Sequence, residues 1–484
     1  MNIALFPLQC ILAVTGVIAT IAALRLLAAS GYKSLMAWHA FIFCPIITPG
    51  LIIQAWLGQP DNFAIDVTDE MYISFLLGGC VANLTIFLLI GFLGHLCYTN
   101  TKNDRANANA AAGASPNDEL STLSKFRFLT GLMVVSLSFL FYLTTDHAKF
   151  GLANARDIFV SRNYEYTYQL RLTGLDVATS TMEEHIYSLF LNTLLPLLNL
   201  TALFAVMRHK QTFWVLSYIF TAVMWSVVGI LTLEKAPILM MIISSVFLFF
   251  ASKPTRGKFR FKARTGLSIV AIGCVMFVIL VFIYRASGFQ ENVLTEALGR
   301  LVLVPAWATL AHYAAVPIFQ DWFYFAGSRT ANLFLALGRT PMTSSLTSAS
   351  GVRWSVPQTV SFLACGTRFD MNCSIVGDGW ANFGYAGVAE EALVVFGLLA
   401  FWDYFFERKF PNSTKLPILC FFLGHFPPVV NNDVMFLLLG HGFLAFPLFS
   451  LWLWGAGGTG RRKIILLSPP KLQNTSDTVS EAAT

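Results

Sequence analysis

The chain has 484 residues, of which 56% are hydrophobic and only 12% charged. A soluble protein of this length would carry about twice that charged share, and the mean hydropathy is +0.64. The net charge of +6 comes from basic residues set between apolar runs, so it is no nucleic-acid footprint.

Runs able to cross a hydrocarbon core of about 30 Å recur along the whole sequence. In chain order they cover residues 3–24, 36–57, 72–96, 128–144, 186–207, 213–233, 236–251, 267–284, 383–405, 416–430 and 434–454. In lipid every backbone polar group must be satisfied internally, so these runs predict helices. The expected fold is an all-α polytopic membrane protein of about eleven spans. Residues 1–27 lack a basic start and are long enough to span, so they read as a first span rather than a cleavable signal.

The basic residues set the orientation. One set of short loops holds 21 of the 32 Lys and Arg, including Lys102, Arg105, Arg208, Lys253, Arg256, Arg408, Lys409 and Arg461. The positive-inside rule assigns that set to the cytoplasm. Residues 99–124 then form a cytoplasmic linker and residues 468–484 a disordered cytoplasmic tail. Two long loops fall outside: loop A, residues 145–185, and loop B, residues 285–382. Within loop B, residues 301–319 are apolar but interrupted by Pro305 and Pro317, and a spanning helix there would move Arg408 and Lys409 outside. They are therefore expected to form a re-entrant or interfacial helix. An impermeant thiol reagent on intact spheroplasts should label Ser348→Cys and spare Ser115→Cys; the reverse pattern would invert the map.

The outer segments carry nine Arg but only two Lys, Lys149 and Lys235. Guanidinium is a planar fork that grips phosphate or carboxylate through two parallel bonds and never loses its charge. Arg156, Arg162 and Arg171 in loop A, and Arg300, Arg353 and Arg368 in loop B, are therefore candidate ligands for a bound anion. Each could instead pair with a nearby carboxylate such as Asp157 or Asp370. Tyr164, Tyr166, Trp307, Tyr313 and Trp380 accompany these Arg; their faces suit sugar rings or an interfacial belt equally.

Loop B ends in Gly377-Asp378-Gly379-Trp380-Ala381-Asn382-Phe383-Gly384 and runs straight into a span. The glycines permit a tight turn, close approach of backbone to a ligand, or small-residue helix packing. Glu390 and Glu391 follow inside that span, where carboxylates are costly unless paired or facing water. Cys365 and Cys373, eight apart in an outer loop, form a plausible disulfide. No phosphate-cradling Gly-rich loop, His-Glu-x-x-His zinc motif or outer Asp-x-Asp stands in the sequence, so neither an ATP motor nor a metal-dependent nucleotide-sugar transferase is expected.

The many spans, the two Arg-rich outer loops, Arg368 and Gly379 eleven apart, and the run Asn382-Phe383-Gly384-x-x-Gly387 resemble the Wzy-type polymerases of O-antigen and capsule repeat units. The turn Glu234-Lys235-Ala236 and the polar turn Asn431-Asn432-Asp433 before the last span are also similar. Loop A departs from the Arg-and-Gly spacing, since Arg162 and Gly174 stand twelve apart. The resemblance implies a GT-C-like, polymerase-ligase architecture in a bacterial inner membrane. It implies a glycosyltransferase that needs no metal or other cofactor. Its substrates would be oligosaccharides linked to undecaprenyl pyrophosphate, and a chain-length-regulating co-polymerase could be a partner. Asp378, Asp370 and Asp157, with Glu165 and His312, are then candidate general bases. Arg156, Arg162, Arg171, Lys235, Arg300, Arg353, Arg368, Gly379 and Asn382 are candidate substrate contacts. An O-antigen ligase shares donor and architecture, and a lipid-linked oligosaccharide flippase is the alternative of a different class.

Overall fold

A computed structural model of the chain describes residues 5–30, 34–94, 125–160, 189–209, 211–232, 236–251, 299–317, 356–366, 373–409, 415–424 and 442–454, and the single residues 166, 170, 173, 187 and 371. The described residues form helices and no strand. In chain order these are α1 (Phe6–Ser30), α2 (Leu35–Leu57), α3 (Asp69–Leu89, continued by a π-helical turn, Ile90–Gly94), α4 (Lys125–Tyr142) and α5 (Asp146–Val160). After another π-helical turn, Phe190–Leu194, come α6 (Leu195–His209), α7 (Thr212–Leu231) and α8 (Ala236–Ala251). A third such turn, Gly299–Leu303, leads into α9 (Val304–Ala315), followed by α10 (Val356–Cys365), α11 (Ile375–Lys409), α12 (Lys415–Gly424) and α13 (Ala445–Trp454).

Seven helices among the described residues are long and apolar enough to cross a membrane: α1, α2, α3 with its extension, α4, Phe190–Arg208, α7 and Ile375–Phe406. Each coincides with an expected span. α8, α12 and α13 are apolar but shorter. The expected span at 267–284, the linker 99–124 and the tail 468–484 lie outside the described residues. Large apolar side chains stand exposed in rows, such as Ile11, Val14, Ile18 and Ile21 on α1 and Leu216, Ile219, Phe220 and Val223 on α7. Patches of that kind are rare on soluble proteins, and here they suit a lipid environment.

The helix ends follow local chemistry. Ser34 caps α2 by accepting from Ala37 N, and the helix stops at Gly58, whose φ of 85 suits glycine. Thr68 caps α3, with Asp69 and Glu70 in the first turn, where the helix dipole favours negative charge. Asp403 of α11 adds a tertiary cap to α2, accepting from Ser34 Oγ at 2.7 Å, Leu35 N at 2.6 Å and Met36 N at 3.2 Å. Asp403→Ala should therefore cost about 2 kcal/mol, visible as a lower Tm in detergent. An unchanged Tm would mean that this cap contributes nothing.

α1, α2 and α3 pack on one another, and α11 packs on α2 and α3. Asn83 of α3 donates to Thr48 Oγ1 of α2 across this interface at 3.0 Å. A second group joins α6, α7, α8 and α12, and α13 rests on α4 and α6. α9 is buried against α2, α3, α10 and α11. Gly50 of α2 lies under the backbone of Val302, and Gly78 of α3 under the Tyr313 ring. Gly78 is nine residues into α3, about 13 Å from that helix's start at 1.5 Å per residue. α9 thus sits well below the ends of its neighbouring spans. Loop B was expected as a loop down to Asn382, with one helix in it; the structure adds α10 and the first turns of α11.

Candidate functional site

The site is built by a break in α11. Phe383 (φ −146, ψ 22) and Gly384 (φ 64, ψ −143) leave helical geometry, separating residues 375–382 from residues 385–409. Gly384 occupies a region that only glycine enters without strain. In a continuous helix residues eight apart would be about 12 Å apart. Here Gly379 and Gly387 touch backbone to backbone: a Cβ on Gly387 would run into the Gly379 carbonyl, and one on Gly379 would stand 2.6 Å from Val388 N. The two segments therefore form a tight helical hairpin. Of the roles open to the glycines of this run, Gly384 takes the turn, while Gly379 and Gly387 serve close helix packing.

Doubling back brings three polar side chains together. Asp378, Asn382 and Glu391 are all buried, at 3%, 2% and 1% exposure. Asn382 Nδ2 donates to the Asp378 carbonyl at 3.0 Å, to Glu391 Oε1 at 3.2 Å and to Asp378 Oδ1 at 3.4 Å. One amide thus bridges two carboxyl groups from opposite arms of the hairpin. Val376, on the same arm as Asp378, lies over Gly78, so the cluster is inside the bundle. Of the two in-span glutamates, Glu391 joins this cluster while Glu390 is exposed.

Aromatic and sulfur groups wall the first arm. Trp380 Nε1 donates to the Val316 carbonyl at 2.9 Å, and its ring stacks on Tyr313 with centroids 4.2 Å apart. Tyr313 meets Phe75 edge-on. Expected to face a sugar ring or an interfacial belt, Tyr313 and Trp380 are instead buried and packed on each other. His312 Nδ1 must carry its hydrogen to bond the Ala308 carbonyl at 2.8 Å, which leaves Nε2 to accept from Cys373 Sγ at 3.4 Å. Both ring nitrogens of His312 are thereby engaged, and the ring is fully buried. The expected Cys365–Cys373 disulfide is also corrected, because neither cysteine is in a disulfide and Cys373 Sγ lies against His312 instead. Cys373 is buried against α9, while Cys365 ends α10, where burial pushes its thiol up to about 11.

Arg156 and Asp157 are exposed on α5, which packs on α7, with Gly151 against the Leu231 carbonyl. They stand on a different element from the hairpin. Asp157 accepts from the Tyr166 hydroxyl at 3.2 Å, which raises the Tyr166 pKa. Lys149 pairs with Asp146 at 3.2 Å. Arg300 falls in the turn before α9, with its side chain outside the description. Arg162, Glu165, Arg171, Lys235, Arg353, Arg368 and Asp370 lie outside the described residues. Among the described residues no group of three His, Cys, Asp or Glu side chains could hold a metal ion.

No protein-family model matches the sequence, and neither a curated protein nor a solved structure matches it.

Proposed function

We propose that the chain is a glycosyltransferase that polymerises polyprenyl-pyrophosphate-linked oligosaccharide repeat units into a surface polysaccharide at the outer face of a bacterial inner membrane. One observation carries the reading. Asp378 and Asn382, four apart on the first arm, form one buried cluster with Glu391, which the hairpin brings to them, and Gly379 packs on Gly387 to close that hairpin. The acceptor hydroxyl oxygen attacks the anomeric carbon of the donor, the bond to pyrophosphate breaks, and a carboxylate takes the hydroxyl proton. Asp378, oriented by Asn382, is assigned that proton. The loop Arg side chains are assigned the charge developing on the leaving pyrophosphate.

Two experiments address this reading. A deletion strain should cap its surface lipid with single repeats; long chains persisting on the polyprenyl carrier would instead indicate a ligase. Arg156, Arg162, Arg353 and Arg368, each changed to Ala, should cut polymer about ten- to a hundredfold at normal protein level, as loss of a charge-assisted contact of ~1.5–3 kcal/mol requires. Lys at these positions should rescue only in part, because it lacks the fork. Normal polymer from all four Ala variants would remove the pyrophosphate clamp.

A second reading has its own observation. A broken helix with carboxyl groups beside the break is also how membrane transporters build ion sites. Under that reading the chain moves lipid-linked oligosaccharide across the bilayer. Proteoliposomes separate the two: elongation of externally added repeats marks the polymerase, and movement without elongation marks the transporter.

A further inference from the structure

The second arm of α11 carries an apolar groove away from the polar cluster. It holds about 490 Å³ and is lined by Leu89 at the end of α3, by Leu93 in the π-helical turn that follows, by Leu393, Gly397 and Phe401 of α11, and by Leu444. Leu393 and Phe401 are more than half exposed, and a Cβ on Gly397 would meet no atom within 4 Å. The groove is thus open sideways, toward lipid. Steps of three and four residues place Glu390, Val394, Gly397 and Phe401 on one face of the helix, and position 408 falls on the same face seven residues further. Charge brackets the groove. The carboxylate of Glu390 is at one end, and the helix terminates at the other in Arg408 and Lys409.

We propose that this groove holds one acyl chain of an anionic phospholipid whose phosphate lies at the helix end carrying Arg408 and Lys409. The lining has no polar side chain to receive a headgroup, so only hydrocarbon fits there. Glu390 repels a phosphate and the basic pair attracts one, which fixes the direction in which the lipid lies. From position 408 to Gly397 the helix rises about 16 Å, within the reach of a single acyl chain. The occupant is a lipid of the surrounding bilayer, and the site stands whether the protein is a polymerase or a transporter.

Native mass spectrometry of the full chain tests this, with dioleoyl phosphatidylglycerol and dioleoyl phosphatidylcholine at equal concentration. One retained lipid is expected, with phosphatidylglycerol favoured about thirtyfold, the ratio that ~1 kcal/mol for each of the two basic residues gives. Gly397→Phe, which fills the groove, should remove most of that adduct, and Leu393→Trp should do the same should Gly397→Phe fail to fold. Arg408→Gln with Lys409→Gln should keep a lipid adduct but abolish the preference. Equal retention of both lipids by the unaltered chain, or full retention in the folded filled-groove variant, overturns the proposal. So does displacement of phosphatidylglycerol by an equal amount of polyprenyl phosphate, which would make the groove a substrate-carrier site.

Discussion

Gly387→Ala should prevent the α11 hairpin from closing. Its methyl group would meet the Gly379 carbonyl, a backbone atom with no rotamer to yield. Overpacking a well-fitted site costs about 1–3 kcal/mol, and this contact belongs at or above the top of that range because both partners are backbone. The expected result is a large drop in Tm, or loss of monodisperse protein, together with loss of activity. Gly397→Ala is the control on the same helix. Its Cβ meets open space, and replacing a helical Gly by Ala should stabilise by up to ~1 kcal/mol. If the two variants melt alike, the two arms do not pack as described.

What the sequence disclosed and what it withheld follow from the range of the interactions. The spans were legible because hydrocarbon thickness imposes a long apolar run on each one, and α2, α3 and α7 match their expected ranges to within a few residues. The short helices of loop B were less visible: α10 has only ten residues and packs on α9, a contact between segments far apart in sequence. Asp378 and Asn382 were selected as a motif, and their four-residue spacing fits one helical face. Glu391 was noted only as a costly charge. It stands nine residues from Asn382, a spacing that no continuous helix brings into contact, so its partner was hidden until the break at Phe383 and Gly384 was known. The cysteine pair misled because spacing eight permits a disulfide but does not require one. The packing of Cys373 against His312 is a contact across 61 residues, beyond any local pattern.

The second large effect concerns Asp378. Asp378→Asn keeps size and hydrogen bonding but removes proton acceptance. A positioned general base is worth about 10²–10⁴ in rate, so polymer formation should fall by at least a hundredfold while the protein stays folded. Asn382→Ala removes the amide that bridges the two carboxyl groups and should lower the rate as well, since Asp378 then loses its orienting partner. Glu391→Gln leaves Asp378 in place and should be milder. The order Asp378→Asn, then Asn382→Ala, then Glu391→Gln is expected of a base with its supports. A transporter's ion site would instead lose transport about equally with either carboxyl group.

The central claim is tested most directly by supplying purified protein in proteoliposomes with a defined polyprenyl-pyrophosphate repeat unit and following product length on gels. The unaltered chain should build a ladder of multiple repeats and release polyprenyl pyrophosphate. Asp378→Asn, at equal incorporation and equal Tm, should leave the single repeat unextended. A ladder of normal length from Asp378→Asn, or no extension by the unaltered chain while the lipid-linked repeat crosses the bilayer, would contradict the assignment.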